Sequence, residues 1–143
     1  MKRIRGLRSR PIGTVSIEHD ASIAEAVLTF REHDVSGLVV YEGGALAGIF
    51  TKNDLVRCCC DHPNGHQGCT VADYMTRDIF TAPADADLET VAERMIDGDF
   101  RHVPVTENGR VVGMVTPIDI LIHQKSALAT EREDLVRYIR GMY

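Results

Sequence analysis

No stretch of this chain comes near the roughly 18 consecutive apolar residues that a bilayer-spanning helix needs. The N-terminus, MKRIRGLRSRP, lacks the apolar segment of a secretory signal peptide. Cysteine is scarce and confined. All four lie between Cys58 and Cys69, whereas a secreted disulfide framework would spread them along the chain. These absences point to a cytoplasmic protein with reduced thiols and no membrane association. Catalytic signatures are missing too. There is no phosphate loop of the G-x-x-x-x-G-K type, no H-E-x-x-H motif, and no nucleophile grouped with a base and an orienting residue. An enzyme is the least expected class.

What is present is ordinary globular material. The chain has 143 residues, 44% hydrophobic and 26% charged, enough for one domain with a real core. Its net charge of -5 hides an asymmetry. The first ten residues carry Lys2, Arg3, Arg5, Arg8 and Arg10 and no acid. That leaves 11 basic against 21 acidic residues, a balance of -10, in the rest. An acidic body argues against a broad nucleic-acid surface. The basic arm at residues 1–9 reads as a solvated terminus that could touch phosphates.

Shifting the sequence by 65 residues aligns GLVVYEGGALAGIFTKNDLV, from Gly37, with HVPVTENGRVVGMVTPIDIL, from His102, without a gap. Each copy spells out a fold. Ser22 and Glu25 form a capping box ahead of Ile23, Ala26, Val27 and Phe30, which fall on one helical face. Asp87 is the matching cap ahead of Leu88, Val91, Ala92 and Met95. Polar breaks end the helices at Asp34 and Asp99. Two β-rich runs follow in each copy, joined by Gly43-Gly44 or Asn108-Gly109, the strongest of hairpin signals. A second helix starts at Thr51 and again at Thr116, with Pro117 at the first helical position. A short strand is expected before each unit, at Gly13–Ile17 and Asp78–Ala82. The expected class is α+β: two units, each a three-stranded sheet with two helices. One such unit cannot easily bury its own sheet. Two packed sheet to sheet, about a pseudo-twofold axis, can.

At these residues the chain resembles a tandem pair of cystathionine-β-synthase (CBS) domains, a Bateman module. The resemblance is carried by the YMT at Tyr74, the HVPV strand, the NGRVVG turn and the T-x-x-D helix starts, and covers roughly Arg10 to Gln124. The second copy is the closer match. In the first, Arg10-Pro11 stands in place of Met-Thr, and Val39 in place of a common proline. The boundaries read as an arm at 1–9, a first repeat at 10–60, a connector at 61–69, a second repeat at 70–125 and a C-terminal helix at 126–143. The resemblance implies a regulatory module, commonly a flat homodimer, that binds AMP, ADP, ATP or S-adenosylmethionine between its repeats and acts on a protein partner. It assigns the ligand hydroxyl contacts to Thr51 and Thr116 and the ribose contacts to Asp54 and Asp119. Val39, Val103 and Pro104 would lend backbone contacts to the adenine. Arg101 and His102, with Lys52 and Arg77 behind them, would face a phosphate. Beside this stands a plainer reading, in which each T-x-x-D only caps its helix. The two readings are compatible.

The connector, RCCCDHPNGHQGCT, raises a second possibility. Three adjacent helical cysteines cannot reach one ion, since successive side chains point about 100° apart. A zinc set would have to draw on Cys58 or Cys60 with His62, His66 and Cys69, and no C-x2-C pair supports it. A thiol-redox sensor or a plain connector are the alternatives. Cys59, four residues beyond Leu55, is expected to pack inward. Beyond the repeats, Thr130 and Glu133 read as the cap of a last helix with an apolar stripe of Leu135, Tyr138, Ile139 and Met142. A dimerisation scaffold with empty clefts is the remaining reading.

Overall fold

The computed structural model describes residues 15–141. The basic arm, the start of the first expected strand and Met142 lie outside them. Eleven elements follow in order: β1 (Ser16–Glu18), α1 (Ile23–His33), β2 (Gly37–Glu42), β3 (Ala45–Thr51), α2 (Lys52–Asp61), α3 (Val71–Tyr74), β4 (Ala82–Pro83), α4 (Leu88–Gly98), β5 (Val103–Glu107), β6 (Arg110–Val115) and α5 (Pro117–Gly141). They form two three-stranded sheets of the same topology, β1-β2-β3 and β4-β5-β6. In each, the first pair is parallel and the second antiparallel.

The turns explain the hairpins. Gly43 and Gly44, and Asn108 and Gly109, all take positive φ, the two-residue geometry that matches strand twist. The ladders shift register at Val40/Tyr41 and at Val105/Thr106, positions one repeat apart. Helices α1 and α4 end on Asp34 and Asp99 in the left-handed conformation, which a short polar side chain tolerates.

Each sheet has its own core on one face. Ile23, Ala26 and Phe30 of α1 pack with Leu38, Val40 and Phe50, and Leu88, Val91 and Met95 of α4 pack with Val103, Val105 and Val115. Val39, Ile49 and Pro104 point to the opposite faces and are buried as well. The repeats meet on that side, where Ser36 Oγ lies 2.9 Å from His102 Nε2. The segment after the connector is shared. Val71 and Met75 belong to the first core. Thr76 exchanges both backbone hydrogen bonds with Ile49, at 2.8 and 3.0 Å.

Several expectations need correction. Among the described residues the first leading strand runs on to Glu18, past the expected end at Ile17, and the second is Ala82–Pro83 rather than Asp78–Ala82. Among the described residues the ladders begin where Ser16 pairs with Val39 and Ala82 with Val105. Ser22 Oγ accepts the Glu25 N–H, which is half of the expected box. Val27 sits at the edge of the α1 stripe and is exposed. Thr130 starts no helix. It lies inside α5, where its hydroxyl donates to the Ser126 carbonyl at 3.0 Å. Cys59 faces solvent and Cys58 is the buried one, because the inward face of α2 is set by Asp54, one turn earlier. No described helix is long and apolar enough to cross a membrane.

Candidate functional site

The first T-x-x-D is a reciprocal capping box. Thr51 Oγ1 accepts the Asp54 N–H at 3.2 Å, and Asp54 Oδ2 accepts the Thr51 N–H at 2.8 Å. The other carboxylate oxygen of Asp54 accepts from the Arg57 guanidinium at 2.7 Å. Arg57 also donates to the Tyr74 carbonyl at 3.1 Å. Asp54 is therefore buried and paired, as a buried charge must be.

This helix start opens on a cleft of about 530 Å³, within the usual range for a small-molecule site. The first repeat contributes Ser36, Thr51, Lys52 and Asp54 to its walls. Asp99, Arg101 and His102 come from the second. Thr76 and Asp78 close it from the segment between. Two cations, Lys52 and Arg101, thus face three carboxylates. His102 is hydrogen-bonded to Ser36, and a Cβ on Gly37 would collide with its ring. Burial holds the His102 imidazole below its ordinary value of 6.5; the carboxylate of Asp54 opposes that and Arg101 adds to it. The imidazole is neutral at neutral pH.

The second T-x-x-D is built differently. Asp119 Oδ2 accepts both the Thr116 N–H at 2.8 Å and the Thr116 hydroxyl at 3.1 Å. By the 65-residue offset, the counterparts of Thr76, Asp78 and Ile79 are Pro11, Gly13 and Thr14, outside the described residues.

Of the residues singled out in the sequence, Thr51, Lys52, Asp54, Arg101 and His102 come together in one cleft. Thr116 and Asp119 stand apart from it, and Val39, Val103 and Pro104 are buried and do not line it. Arg77 instead pairs with Glu42 at 3.4 Å. Sequence reasoning missed Arg57, although its place three residues after Asp54 on one helix face was a usable signal. It also missed Ser36, Asp78 and Asp99, which only the meeting of the repeats brings in.

The expected zinc set of Cys58, Cys60, His62, His66 and Cys69 is not assembled. Among the described residues no three His, Cys, Asp or Glu side chains are placed to hold a metal ion. Cys58 points into the core while Cys60 points out. Cys69 does touch His62, with Sγ 3.3 Å from Nε2.

Comparison with known proteins places this architecture. The CBS domain family matches at residues 4–61 and again at 71–126. A CBS-domain protein of Agrobacterium tumefaciens superposes with a TM-score of 0.76 at 31% identity, covering 85% of this chain and 92% of that one. The CBS domain pair of protein MJ0100, crystallised with 5′-methylthioadenosine and S-adenosyl-L-methionine, superposes with a TM-score of 0.73 at 28% identity, covering 89% and 98%. Some relatives are enzymes. The inosine-5′-monophosphate dehydrogenase of Thermoplasma acidophilum is 30% identical over 126 residues, 87% of this chain but 24% of that protein. The chain spans between 24% and 63% of the length of the first curated relatives it matches. Two successive matches, on two sheets of one topology meeting at a cleft, make this chain a tandem member of the CBS domain family.

Proposed function

We propose that the chain is a non-catalytic regulatory module that takes an adenosine-containing ligand, AMP, ADP, ATP or S-adenosylmethionine, in the cleft between its repeats. The observation that carries this reading is the convergence there of the α2 start with Arg101 and His102 from the other repeat. The Thr51 oxygen already accepts a backbone N–H, so its hydroxyl proton remains to donate to a ligand. Asp54 keeps lone pairs beside its two bonds and can accept from ribose hydroxyls. Lys52 and Arg101 supply the charge that a phosphate needs. The complex of MJ0100 with two adenosine compounds supports the ligand class.

The test is a thermal-melt panel with AMP, ADP, ATP, S-adenosylmethionine and NADH. A ligand at about 100 times its dissociation constant adds about 2.7 kcal/mol, a shift of several degrees. The expected result is a shift with one adenosine ligand that Arg101→Ala weakens. No shift across the panel would leave the T-x-x-D turns as caps alone.

A second copy of the chain is the protein partner we infer. Leu121, Leu128 and Leu135 recur every seven residues on α5 and are 61%, 67% and 60% exposed. From Gln124 to Arg137 every side chain of α5 is exposed. An isolated helix of that length is marginal in water, so this face needs cover. Light scattering is expected to give a dimer that Leu128→Glu with Leu135→Glu converts to a folded monomer. A wild-type monomer would remove this part of the reading.

A further inference from the structure

Cys58 and Cys69 meet where the connector returns to the first repeat. Cys58 lies one turn beyond Asp54 on the inward face of α2 and is fully buried. Cys69 is partly buried and packs against the core cluster that contains Cys58, so the two thiols are neighbours. On its other side the Cys69 sulfur lies 3.3 Å from His62 Nε2. The connector is folded to allow this. The His62 N–H donates to the Cys58 carbonyl at 3.0 Å, the Cys69 N–H donates to the His66 carbonyl at 3.1 Å, and Gly68 turns at φ 84. Cys59 and Cys60 face solvent. The four thiols therefore divide into one adjacent pair with a histidine and two exposed neighbours.

We propose that Cys58 and Cys69 are a reversible modification site, a thiol pair that hydrogen peroxide closes to a disulfide. Cys69, the more accessible of the two, reacts first. Its sulfur attacks one peroxide oxygen, the O–O bond breaks, and the thiol proton passes through His62 to the departing oxygen, which leaves as water. Cys69 is then a sulfenic acid. The Cys58 sulfur attacks the Cys69 sulfur, the S–O bond breaks, and the hydroxyl leaves as a second water with the Cys58 proton. Two thiols lose two electrons and one peroxide becomes two waters. Burial, and the neighbouring Cys69 after it, push the Cys58 thiol up. That suits Cys58 to the second step and keeps it from reacting with peroxide directly. The product ties the last turn of α2 to the end of the connector.

The test uses the full chain, treated with hydrogen peroxide, alkylated with iodoacetamide and digested by a protease that cuts before aspartate. Cleavage at Asp54, Asp61 and Asp73 separates Cys58–Cys60 from Cys69. The expected product is a cross-link between the peptides at 54–60 and 61–72 within one monomer, opened by dithiothreitol. It persists in the Cys59→Ser, Cys60→Ser double variant and is lost in Cys69→Ala, a change outside the fully buried core. Four alkylated thiols after treatment would overturn the proposal. So would a link lost in the double variant, a link between two chains, or Cys69 driven to sulfinic acid while Cys58 stays alkylated.

Discussion

Thr51 and Thr116 begin the same motif one repeat apart, and each donates its N–H to an aspartate at 2.8 Å. The likeness stops there. Thr51 uses its oxygen to accept a backbone N–H, whereas Thr116 spends its hydroxyl proton on Asp119. Asp54 is held by Arg57, and the residue at that place in the second repeat is Ile122, half exposed. The motif specifies a helix start in both repeats. What that start offers a ligand depends on the residue three positions further on. In the first repeat it is a hydroxyl proton left to donate, beside a carboxylate paired with Arg57. In the second it is a carboxylate that no described guanidinium meets.

The largest break in this symmetry is expected at Gly48. A Cβ there would collide with the Thr76 carbonyl and the Met75 methyl, which cover the first sheet. Gly48→Ala should cost about 3 kcal/mol, read as a lower urea midpoint. An unchanged midpoint would mean that the Ile49–Thr76 bridge is dispensable. Next come the two aspartates. Asp54→Asn loses part of its cap and the charge that pairs with Arg57, for about 2 kcal/mol, whereas Asp119→Asn loses only cap bonds, for about 1 kcal/mol. Equal losses would erase the distinction drawn between the repeats.

Smaller effects sharpen it. His102 has its imidazole held below 6.5 in the fold, so the unfolded chain takes up a proton first as pH falls. Its contribution to stability is complete above about pH 6.5 and is lost on acidification toward the folded value. His102→Gln should flatten that part of the stability profile, and an unchanged profile would exclude His102 as its source. The smallest effect belongs to Arg57→Ala. The pair is 61% exposed on the arginine side and should contribute less than about 1 kcal/mol. Its informative readout is ligand affinity in the first cleft, which should rise as Asp54 is released; a fall would place Arg57 itself against the ligand.

The repeat made much of the fold legible. Local chemistry decides a hairpin at Asn108-Gly109 or a capping box at Thr51, and local chemistry is written in adjacent residues. Where geometry depends on distant partners the reading slipped. Leu55 suggested Cys59 as the inward cysteine, but Leu55 is itself only half-buried and the buried Asp54 sets the register. Thr130 has the residues of a cap, yet with α5 already running its hydroxyl turns back on the Ser126 carbonyl. The cleft was half legible. Thr51 and Asp54 announce themselves by motif, whereas Ser36, Asp78 and Asp99 enter only through the way the repeats meet.

Val71 and Met75 lie beyond the connector in sequence but inside the first core in space. The two halves are thus interlocked rather than strung together. A protease that nicks the connector between His62 and Gly68 would not release two particles, because parting them means withdrawing both side chains from apolar surroundings, at about 1.5–3 kcal/mol each. The nicked protein should run as one species until denatured, and a fragment ending at Asp61 should recover its fold when the missing half is added back.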